Sequence, residues 1–369
     1  MGMNWRKCDK AKSRFASVAL AGALLLAGSF PAASQSDNYL FNDSHFHLTN
    51  YIQEGTDIRD FLKIMGTKVG RVALFGIPLQ QQWSYRVDGE NAPTYYLNSD
   101  APLYYYSFTD ALIAMAYKSL PKEQQARFDP MITGFNPTDM YAADHIRRVL
   151  QTFPGVFTGI GEFTIHKEFV SAKIAGEVAS LQDRALDRLL DFAAEVGLVV
   201  LIHNDIDTPY AKAGAEPAYL DQVKALFKRH PKATIIWAHI GVGRVIRPVK
   251  DQGAIIEQII KDPDFSHVYF DISWDEVAKY AVASPETTRA VADVINRHPD
   301  RFLFGTDEVG APNEQKYFKM FYQYGPLWDL LGKATSEKVR KGNYERIFDE
   351  GRRKVRAWEK SHVIAARPQ

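Results

Sequence analysis

The sequence predicts an α/β fold in which eight strands alternate with helices and close into a (β/α)8 barrel, or TIM barrel. Three observations favour this fold. Short apolar runs recur along the 369-residue chain, and several are near-continuous in Val, Ile, Leu and Phe, as expected of parallel strands covered on both faces. Amphipathic stretches that stop at Gly or Pro follow many of these runs. The alternation fills roughly 270 residues, a usual length for this barrel; a doubly wound open sheet is the alternative.

The first 34 residues have the pattern of a secretory signal peptide. Basic residues precede an apolar run from Phe15 to Phe30, and Ala32-Ala33-Ser34 offers small residues for cleavage. With about 16 residues, the run is shorter than the roughly 20 that span a bilayer. We therefore expect cleavage after Ser34 and a periplasmic or secreted mature chain without stable membrane insertion. A membrane anchor is the alternative.

The composition of the chain excludes several classes of function. Hydrophobic residues make up 46% and charged residues 24%, with a net charge of +1, which is ordinary for a globular protein. Removal of the signal peptide would change this charge to about −3, too small a value to steer nucleic acid. Cys8, the only cysteine, lies in that peptide, so the mature chain would bind a metal through His and carboxylate groups. We expect a small-molecule substrate and no nucleic-acid partner.

The order of the elements can be assigned along the chain. The eight strands are predicted at residues 39–43, 71–77, 131–135, 156–163, 198–203, 234–239, 268–272 and 301–306. Between them, helices that stop at Gly or Pro are predicted at residues 171–196, 217–230 and 285–298. After the eighth strand, residues 314–331 and 336–359 have a helical pattern, with Asn343 as a cap. No repeat or linker interrupts the chain, so we expect residues 35–369 to form one domain.

The spacing of the elements breaks once, at residues 78–130, between the second and third strands. The first part of this insertion is too irregular for one helix and is rich in aromatic residues, namely Trp83, Tyr85, Tyr95, Tyr96, Tyr104, Tyr105, Tyr106 and Phe108. Since it follows a strand, the insertion should emerge at the C-terminal face of the barrel, where active sites are built. We expect an aromatic wall or lid over a substrate. A self-packed surface loop or a homodimer contact is the alternative.

Two histidines follow the first apolar run, in the segment Asn-Asp-Ser-His-Phe-His at residues 42–47. Side chains two residues apart share one face of a strand, so His45 and His47 can converge on a single ion. The pair alone does not define a metal site, because two exposed or hydrogen-bonded histidines have the same spacing. The residues at the other strand ends therefore decide whether His45 and His47 are interpreted as metal ligands.

Four further strand ends carry side chains of the same kind. They are Glu162 after the fourth strand, His203 after the fifth, His239 after the sixth and Asp307 after the eighth. In a closed barrel these ends meet at one rim, so six candidate ligands would lie together. Imidazole and carboxylate groups suit Zn²⁺, which is our first expectation, and also Mn²⁺, Fe²⁺ or Co²⁺. A helix N-cap is the alternative role for Asp307.

The order His-x-His, Glu, His, His and Asp over strands one, four, five, six and eight resembles the amidohydrolase superfamily. Residues 342–348, Gly-Asn-Tyr-Glu-Arg-Ile-Phe, are similar to a Gly-Asn-Ala-x-Arg-Leu-Phe stretch near the end of its amidohydrolase-related (amidohydrolase 2) branch. The resemblance covers about residues 39–350. It implies that His45, His47, His203 and Asp307 contact metal, and that His239 binds a second metal or polarises the substrate.

The fourth strand leaves the number of metal ions open. In some members of the superfamily a carboxylated lysine at this position bridges two metals. Glu162 takes that position here, as a glutamate does in other branches, including the TatD-like nucleases. The resemblance therefore implies either one or two divalent ions.

The chemistry of these residues can be stated without the resemblance. A metal held by neutral imidazoles and carboxylates lowers the pKa of a bound water towards roughly 7. Asp307 is placed to accept the proton of that water and pass it to the leaving group, while His239 or the metal would polarise the carbonyl. We expect a metal-dependent hydrolase that cleaves a carbonyl bond of a lactone, ester or amide.

Other functions remain as alternatives. Within the resemblance, the alternative is metal-dependent non-oxidative decarboxylation of an aromatic carboxylic acid. A non-catalytic barrel that binds metal for a partner is a third class, and the complete set of ligands argues against it. A nuclease is disfavoured because the near-neutral chain shows no basic groove for a phosphate backbone.

Further polar residues follow the same strand ends and are candidates for contact with a substrate. Lys167 and Arg244 would suit a substrate carboxylate, and Trp274 follows the seventh strand. The remaining residues of this kind are His166, Asn204, Asp205, Arg247, Asp271 and Ser273. Most residues in such positions solvate loops or form structural ion pairs, so we expect only some of them to bind substrate.

Overall fold

The strands of the computed structural model, which describes residues 38–212 and 216–364, form one curled sheet and one small hairpin. Their bounds are β1 Phe41–His47, β2 Val69–Phe75, β3 Leu79–Gln81, β4 Leu103–Tyr105, β5 Phe128–Ile132, β6 Gly159–Thr164, β7 Val199–His203, β8 Thr234–Trp237, β9 Val268–Asp271, β10 Phe302–Leu303 and β11 Glu308–Val309. The sheet has the order β10-β9-β8-β7-β6-β5-β2-β1-β11 and all its pairs are parallel. The fold is therefore α/β and TIM-barrel-like, as predicted, while the predicted signal peptide lies outside the described residues.

The two ends of the sheet meet through the segment between β10 and β11. Strand β10 pairs with β9 and β11 pairs with β1. Between them, the backbone N–H of Ser44 donates to the carbonyl of Phe304 at 3.1 Å, and that of Asp307 donates to the carbonyl of His45 at 2.7 Å. A Cβ atom at Gly305 would lie 2.7 Å from the Cβ of His45, so only glycine allows this close approach.

The eighth strand differs from its prediction as one run at residues 301–306. It is split in two because Asp307 has a φ of 53°, a left-handed conformation that no extended strand can continue through. The first strand also differs, since it continues through His45 and His47 and does not stop before them. Strand β8, in contrast, ends at Trp237, and His239 follows in a 3₁₀ turn, Ala238–Gly241.

The helices surround the sheet. Their bounds are α1 Ile58–Met65, α2 Phe108–Lys118, α3 Lys122–Gln125, α4 Ala142–Thr152, α5 Glu168–Lys173, α6 Arg184–Val196, α7 Leu220–Arg229, α8 Gln252–Lys261, α9 Asp275–Ala281, α10 Pro285–Arg297, α11 Glu314–Gln323, α12 Gly325–Trp328, α13 Lys333–Glu337 and α14 Asn343–Glu359. None of the helices within residues 38–212 and 216–364 is long and apolar enough to span a bilayer.

The helix predicted at residues 171–196 is two helices in the structure. Helix α5 ends at Lys173 and α6 begins at Arg184. Ile174 has an extended backbone and Gly176 has a φ of 99°, so neither continues the helix. The amphipathic pattern therefore gave the correct element type but missed this break.

Asn343 does not cap the last helix as predicted. It is the first residue of α14, which follows a π-helical turn at Lys338–Gly342. Its side-chain amide donates to the carbonyls of Pro299, at 2.7 Å, and Phe302, at 2.8 Å. These bonds attach α14 to the start of the eighth strand. Asn343, one of the residues that carry the resemblance at 342–348, thus has a structural role.

A buried ion-pair cluster lies near the amino-terminal end of β5, away from the predicted ligands. The carboxylate of Asp129 accepts hydrogen bonds from Arg71, at 2.7 Å, from Arg352, at 2.6 Å, and from the hydroxyl of Tyr344, at 2.8 Å. Burial alone would raise the pKa of Asp129, but the charges of the two arginines lower it. Since Tyr344 and Arg352 belong to α14, the cluster holds this helix against the barrel.

Candidate metal centre

All six predicted ligands lie at the C-terminal rim of the barrel. Among the described residues, their ligand atoms form three overlapping groups, and the atoms of each group lie within 4.8 Å of one another. The groups are His45, His239 and Asp307; His45, His47 and Glu162; and Glu162, His203 and His239. The four histidines and Glu162 are buried, and the side chain of Asp307 is 8% exposed. The register of the strand ends therefore brings together the residues that the sequence picked out.

Asp307 faces three histidines. Its Oδ1 lies 3.2 Å from Nε2 of His45 and 3.2 Å from Nε2 of His47, and its Oδ2 lies 3.7 Å from Nε2 of His239. Burial raises the pKa of Asp307, but the charge of His45 and the close contacts with His45 and His47 lower it well below its usual range. Asp307 is not a helix cap, since Asn313 caps the next helix, α11.

Asp43 fixes the backbone that carries Asp307. Its carboxylate accepts hydrogen bonds from the backbone N–H of Thr306, at 2.8 Å, from the hydroxyl of Thr306, at 2.7 Å, and from the hydroxyl of Tyr317, at 2.8 Å. Burial raises the pKa of Asp43 to about 6, and these donors limit the rise. The strained conformation at Asp307 is thus held by neighbours on β1 and α11.

Glu162 lies between the other ligands. Its Oε1 is 2.6 Å from Nδ1 of His203 and 3.4 Å from Nε2 of His239, and its Oε2 is 3.6 Å from Nε2 of His47. The ammonium group of Lys167 lies 3.1 Å from Oε2. Burial raises the pKa of Glu162, but the charges of Lys167 and His203 bring it well below its usual range.

Lys167 is itself enclosed in this cluster, with 11% of its side chain exposed. Burial lowers its pKa, but the charges of Glu162, Tyr51 and Asp307 and the hydrogen bond to Glu162 together raise it. The sequence predicted Lys167 as a substrate-binding residue. In the structure its charge is already balanced by Glu162.

Two histidines have their outer ring nitrogens fixed by neighbours. Nδ1 of His47 donates to the carbonyl of Gly76 at 3.1 Å, and Nδ1 of His45 lies 2.8 Å from Oδ2 of Asp271. Because a carbonyl or carboxylate only accepts, Nδ1 of each ring carries a hydrogen, so Nε2 is the nitrogen through which the neutral ring can bind a metal. Burial lowers the pKa of His45, while Asp307 and the hydrogen bond to Asp271 raise it well above its usual value.

Ser273 links two of the histidines. Its hydroxyl donates to Oδ2 of Asp271 at 2.8 Å and lies 3.0 Å from Nδ1 of His239 and 3.2 Å from Nδ1 of His45. Since the hydroxyl hydrogen goes to Asp271, the serine oxygen accepts from His239 and leaves Nε2 of His239 unprotonated. Burial lowers the pKa of His239 and so favours this neutral ring. The sequence placed Asp271 and Ser273 at the correct strand end, but only the structure shows that they orient histidines.

The donor set fits a divalent transition metal. Within the part of the chain that the structure describes, Nε2 of His45 and Nε2 of His239 are buried and have no hydrogen-bond partner of acceptable geometry. An unpaired buried polar atom is costly, and both atoms face the carboxylates of Asp307 and Glu162. Imidazole nitrogens with carboxylate oxygens are the ligands that Zn²⁺, Mn²⁺, Fe²⁺ and Co²⁺ accept.

Arg244 and Trp274, the other predicted substrate-binding residues, lie beside the cluster. The guanidinium group of Arg244 is 5.6 Å from the ring centroid of Trp274 and donates to the hydroxyl of Tyr96 at 2.9 Å. The ring of Trp274 lies 5.0 Å from that of His239. Arg244 is 30% exposed and also pairs with Glu276 at 3.4 Å, so it is the more accessible of the two predicted cations.

The aromatic insertion covers one side of the rim. The rings of Tyr95 and Tyr96 pack at 4.4 Å from each other and at 5.5 Å and 5.1 Å from the ring of Tyr51. Burial raises the pKa of Tyr51, and the charges of Glu162 and Asp307 add to the rise while Lys167 opposes it, so Tyr51 lies near the cluster. Sequence reasoning missed Tyr51, although it follows the His-x-His pair by four residues.

The outer face of the insertion is exposed. Trp83 and Tyr85 stack on each other at 5.6 Å and are 48% and 72% exposed. The insertion thus includes both a wall beside the cluster and an exposed aromatic surface. An aromatic wall or lid over a substrate and a homodimer contact both stay predictions.

The TIM-barrel-like fold carries its candidate ligands at the C-terminal rim: a buried His-x-His pair, a glutamate, two further histidines and an aspartate. This combination defines a class of metal-dependent enzymes. The sequence matches the Amidohydro_2 (amidohydrolase) family model over residues 43–349. The chain therefore belongs to the amidohydrolase family, in its amidohydrolase 2 branch. Enzymes of this family are metal-dependent and act on small molecules, which confirms the predicted family and enzyme class.

Solved structures similar to this chain confirm the fold. One is a candidate 2-pyrone-4,6-dicarboxylic acid hydrolase from Pseudomonas putida, with 13% identity, 85% of this chain and 98% of that chain covered, and a TM-score of 0.52. Another is an uncharacterized TIM-barrel protein from Bordetella bronchiseptica, with 15% identity, coverage of 84% and 99%, and a TM-score of 0.51. A comparison with curated protein sequences gives no match.

Proposed function

We propose that this amidohydrolase is a hydrolase that uses a divalent transition metal, first of all Zn²⁺, to cleave a carbonyl bond in a small lactone, ester or amide. The observation that carries the proposal is the position of Asp307, whose carboxylate lies 3.2 Å from Nε2 of both His45 and His47. Two imidazole nitrogens and a carboxylate at one point form a metal-binding arrangement that also contains a proton acceptor.

His45, His47 and Asp307 would hold the ion, with Glu162 and His239 within reach of it. A divalent ion in such a site makes water acidic enough to act as a nucleophile near neutral pH and draws electron density from a carbonyl oxygen. The barrel supplies rigid strands for His45 and His47, so the ligands need little rearrangement when the ion binds.

Asp307 would move the proton. Because its pKa lies well below the usual range, the carboxylate is ionised at neutral pH and can accept a proton from the attacking water. Its second oxygen, Oδ2, points to the side of His239, so the same group can deliver the proton to a leaving oxygen or nitrogen.

His239 would act as a ligand or a proton acceptor. Its Nδ1 donates to Ser273, so its Nε2 carries no hydrogen with which to polarise a carbonyl. Of the two roles that the sequence left open, the hydrogen-bond network supports metal binding. Arg244 and Trp274, on the open side of the cluster, would contact the substrate.

The function is tested with the protein stripped of metal by a chelator and then reloaded with Zn²⁺ or Mn²⁺. A panel of lactones, esters and amides is assayed in ¹⁸O-labelled water. The proposal expects turnover only in the reloaded protein and ¹⁸O in the carboxylic acid product. If aromatic carboxylic acids are the substrates and the products are CO₂ and the arene that carries hydrogen in place of the carboxylate, the reaction is the decarboxylation that the sequence kept as its alternative.

A further inference from the structure

Glu162 is shared by two sets of histidines. It belongs to two of the groups of ligand atoms: His45 and His47 form the first set around it, and His203 and His239 form the second. The first set also has a carboxylate of its own, because Asp307 lies 3.2 Å from both histidines. The second set has Glu162 as the one carboxylate in its group. A carboxylate in this position could bridge two ions.

Glu162 is already paired with a positively charged side chain of the protein, that of Lys167. The ammonium group of Lys167 lies 3.1 Å from Oε2 and 3.3 Å from Oε1. It is 5.9 Å from the ring centroid of Trp274, whose ring lies 5.0 Å from that of His239 and 6.3 Å from that of His203. The positive charge therefore lies against both oxygens of Glu162 and close to Trp274, which packs beside the second set.

The two sets also differ in the state of their nitrogens. His203 has both ring nitrogens engaged, with Nδ1 2.6 Å from Glu162 and Nε2 3.1 Å from Asp205. One nitrogen in each set, Nε2 of His45 and Nε2 of His239, has no hydrogen bond of acceptable geometry among the described atoms. The sets therefore differ at His203, because an ion at the second set would first have to displace a hydrogen bond of that histidine.

We propose that Lys167 limits the centre to one divalent ion, held by His45, His47 and Asp307, by pairing its ammonium group with both oxygens of Glu162, the one carboxylate in the group that a second ion would use. A dication near this ammonium group would meet a like charge in a buried site, where repulsion is strong. Lys167 is then a residue that sets the metal number, a role separate from the substrate contact predicted from sequence. The proposal rests on the proposed function, since it requires that the cluster bind metal.

The test compares metal binding by the wild-type protein and by Lys167→Met, which keeps the length of the side chain and removes its charge. Each protein is stripped of metal and titrated with Mn²⁺, followed by calorimetry, by elemental analysis and by electron paramagnetic resonance. Wild type should bind one equivalent and give the spectrum of an isolated ion. Lys167→Met should bind a second equivalent at least about 100-fold more tightly than wild type does, with the spectrum of two coupled ions.

Two further variants serve as controls. Lys167→Arg keeps the positive charge and should bind one equivalent. Lys173→Met removes the last lysine of α5, the helix that follows Lys167 directly. The ammonium group of Lys173 donates to the carbonyls of Tyr96 and Ser99 at 2.6 Å, and this variant should also bind one equivalent. Circular dichroism confirms that each variant is folded.

The outcomes separate this inference from the proposed function. Two coupled ions in the wild-type protein would overturn the inference even if Lys167→Met fails to fold. One equivalent in a folded Lys167→Met protein would overturn it as well. Zero equivalents in the wild-type protein would refute the proposed function itself.

Discussion

Replacement of Asp307 by Asn tests the proposed role of this residue as a proton acceptor. The carboxylate lies 3.2 Å from two imidazole nitrogens, and an amide of the same shape can retain part of those contacts through its oxygen. It has no negative charge and cannot accept the proton of an attacking water. The substitution thus separates the position of the side chain from its basicity.

The magnitude follows from the loss of general acid–base help, which accounts for a factor of about 10² to 10⁴ in rate. The lower limit applies if the neighbouring Glu162 or bulk water takes over the proton. We therefore expect the kcat of Asp307→Asn to fall by at least about 100-fold, while KM changes little, because the residues on the substrate side of the cluster are unaltered.

The assay measures kcat and metal content on the same samples. An amide is a poorer ligand than a carboxylate, so loss of metal would also abolish activity, and rates are compared per equivalent of bound ion. Asp307→Glu is the matched variant, which keeps the charge but moves it by one methylene. If Asp307→Asn keeps its metal and turns over at near the wild-type rate, Asp307 is not the proton acceptor and the mechanism fails.

Three other predictions concern the stability of the fold, the contact of Arg244 with a substrate and the N-terminus of the mature chain. Asp129→Asn should lower the free energy of unfolding by about 3 kcal/mol, the lower end for a broken buried ion pair, because its two arginines are partly exposed. Since the pKa of Asp129 is lowered in the fold, this difference in stability should be complete near pH 7 and shrink as the pH falls through that pKa. Denaturant titrations at several pH values measure it. Arg244→Met should raise KM for a substrate that bears a carboxylate, with a smaller effect on kcat in steady-state assays, whereas an equal effect on an uncharged substrate would contradict a carboxylate contact. Protein isolated from its host should begin at or near Gln35 by N-terminal sequencing, and an intact Met1 on most molecules would refute signal cleavage.

The sequence predicted the fold and the cluster because both depend on repeated local patterns. Each apolar run of the prediction contains or overlaps a strand of the sheet, and a polar residue that follows such a run must lie at the rim. This is why His203 and Asp307, which are 104 positions apart, could be assigned to one site. The resemblance added the family, which the match over residues 43–349 confirms.

The features that the sequence did not predict arise from contacts between distant side chains or from backbone strain. Asp271 bonds to His45 across 226 positions, and no spacing rule links the two residues. The conformation of Asp307 splits the eighth strand because Asp43 and Gly305 hold the backbone there. The ion pair between Lys167 and Glu162 could not be predicted without the path of the chain after β6, since a residue three positions past a strand end can point in several directions.

Anomalous diffraction from crystals of the protein as purified tests the metal centre most directly, because data on both sides of an absorption edge give the identity, the number and the position of bound ions. The account predicts a peak of one divalent transition metal within bonding distance of Nε2 of His45, Nε2 of His47 and a carboxylate oxygen of Asp307. The peak should be absent from a folded His45→Ala/His47→Ala protein. A wild-type crystal grown with Zn²⁺ or Mn²⁺ that shows no anomalous peak among these residues would contradict the metal centre and the function built on it.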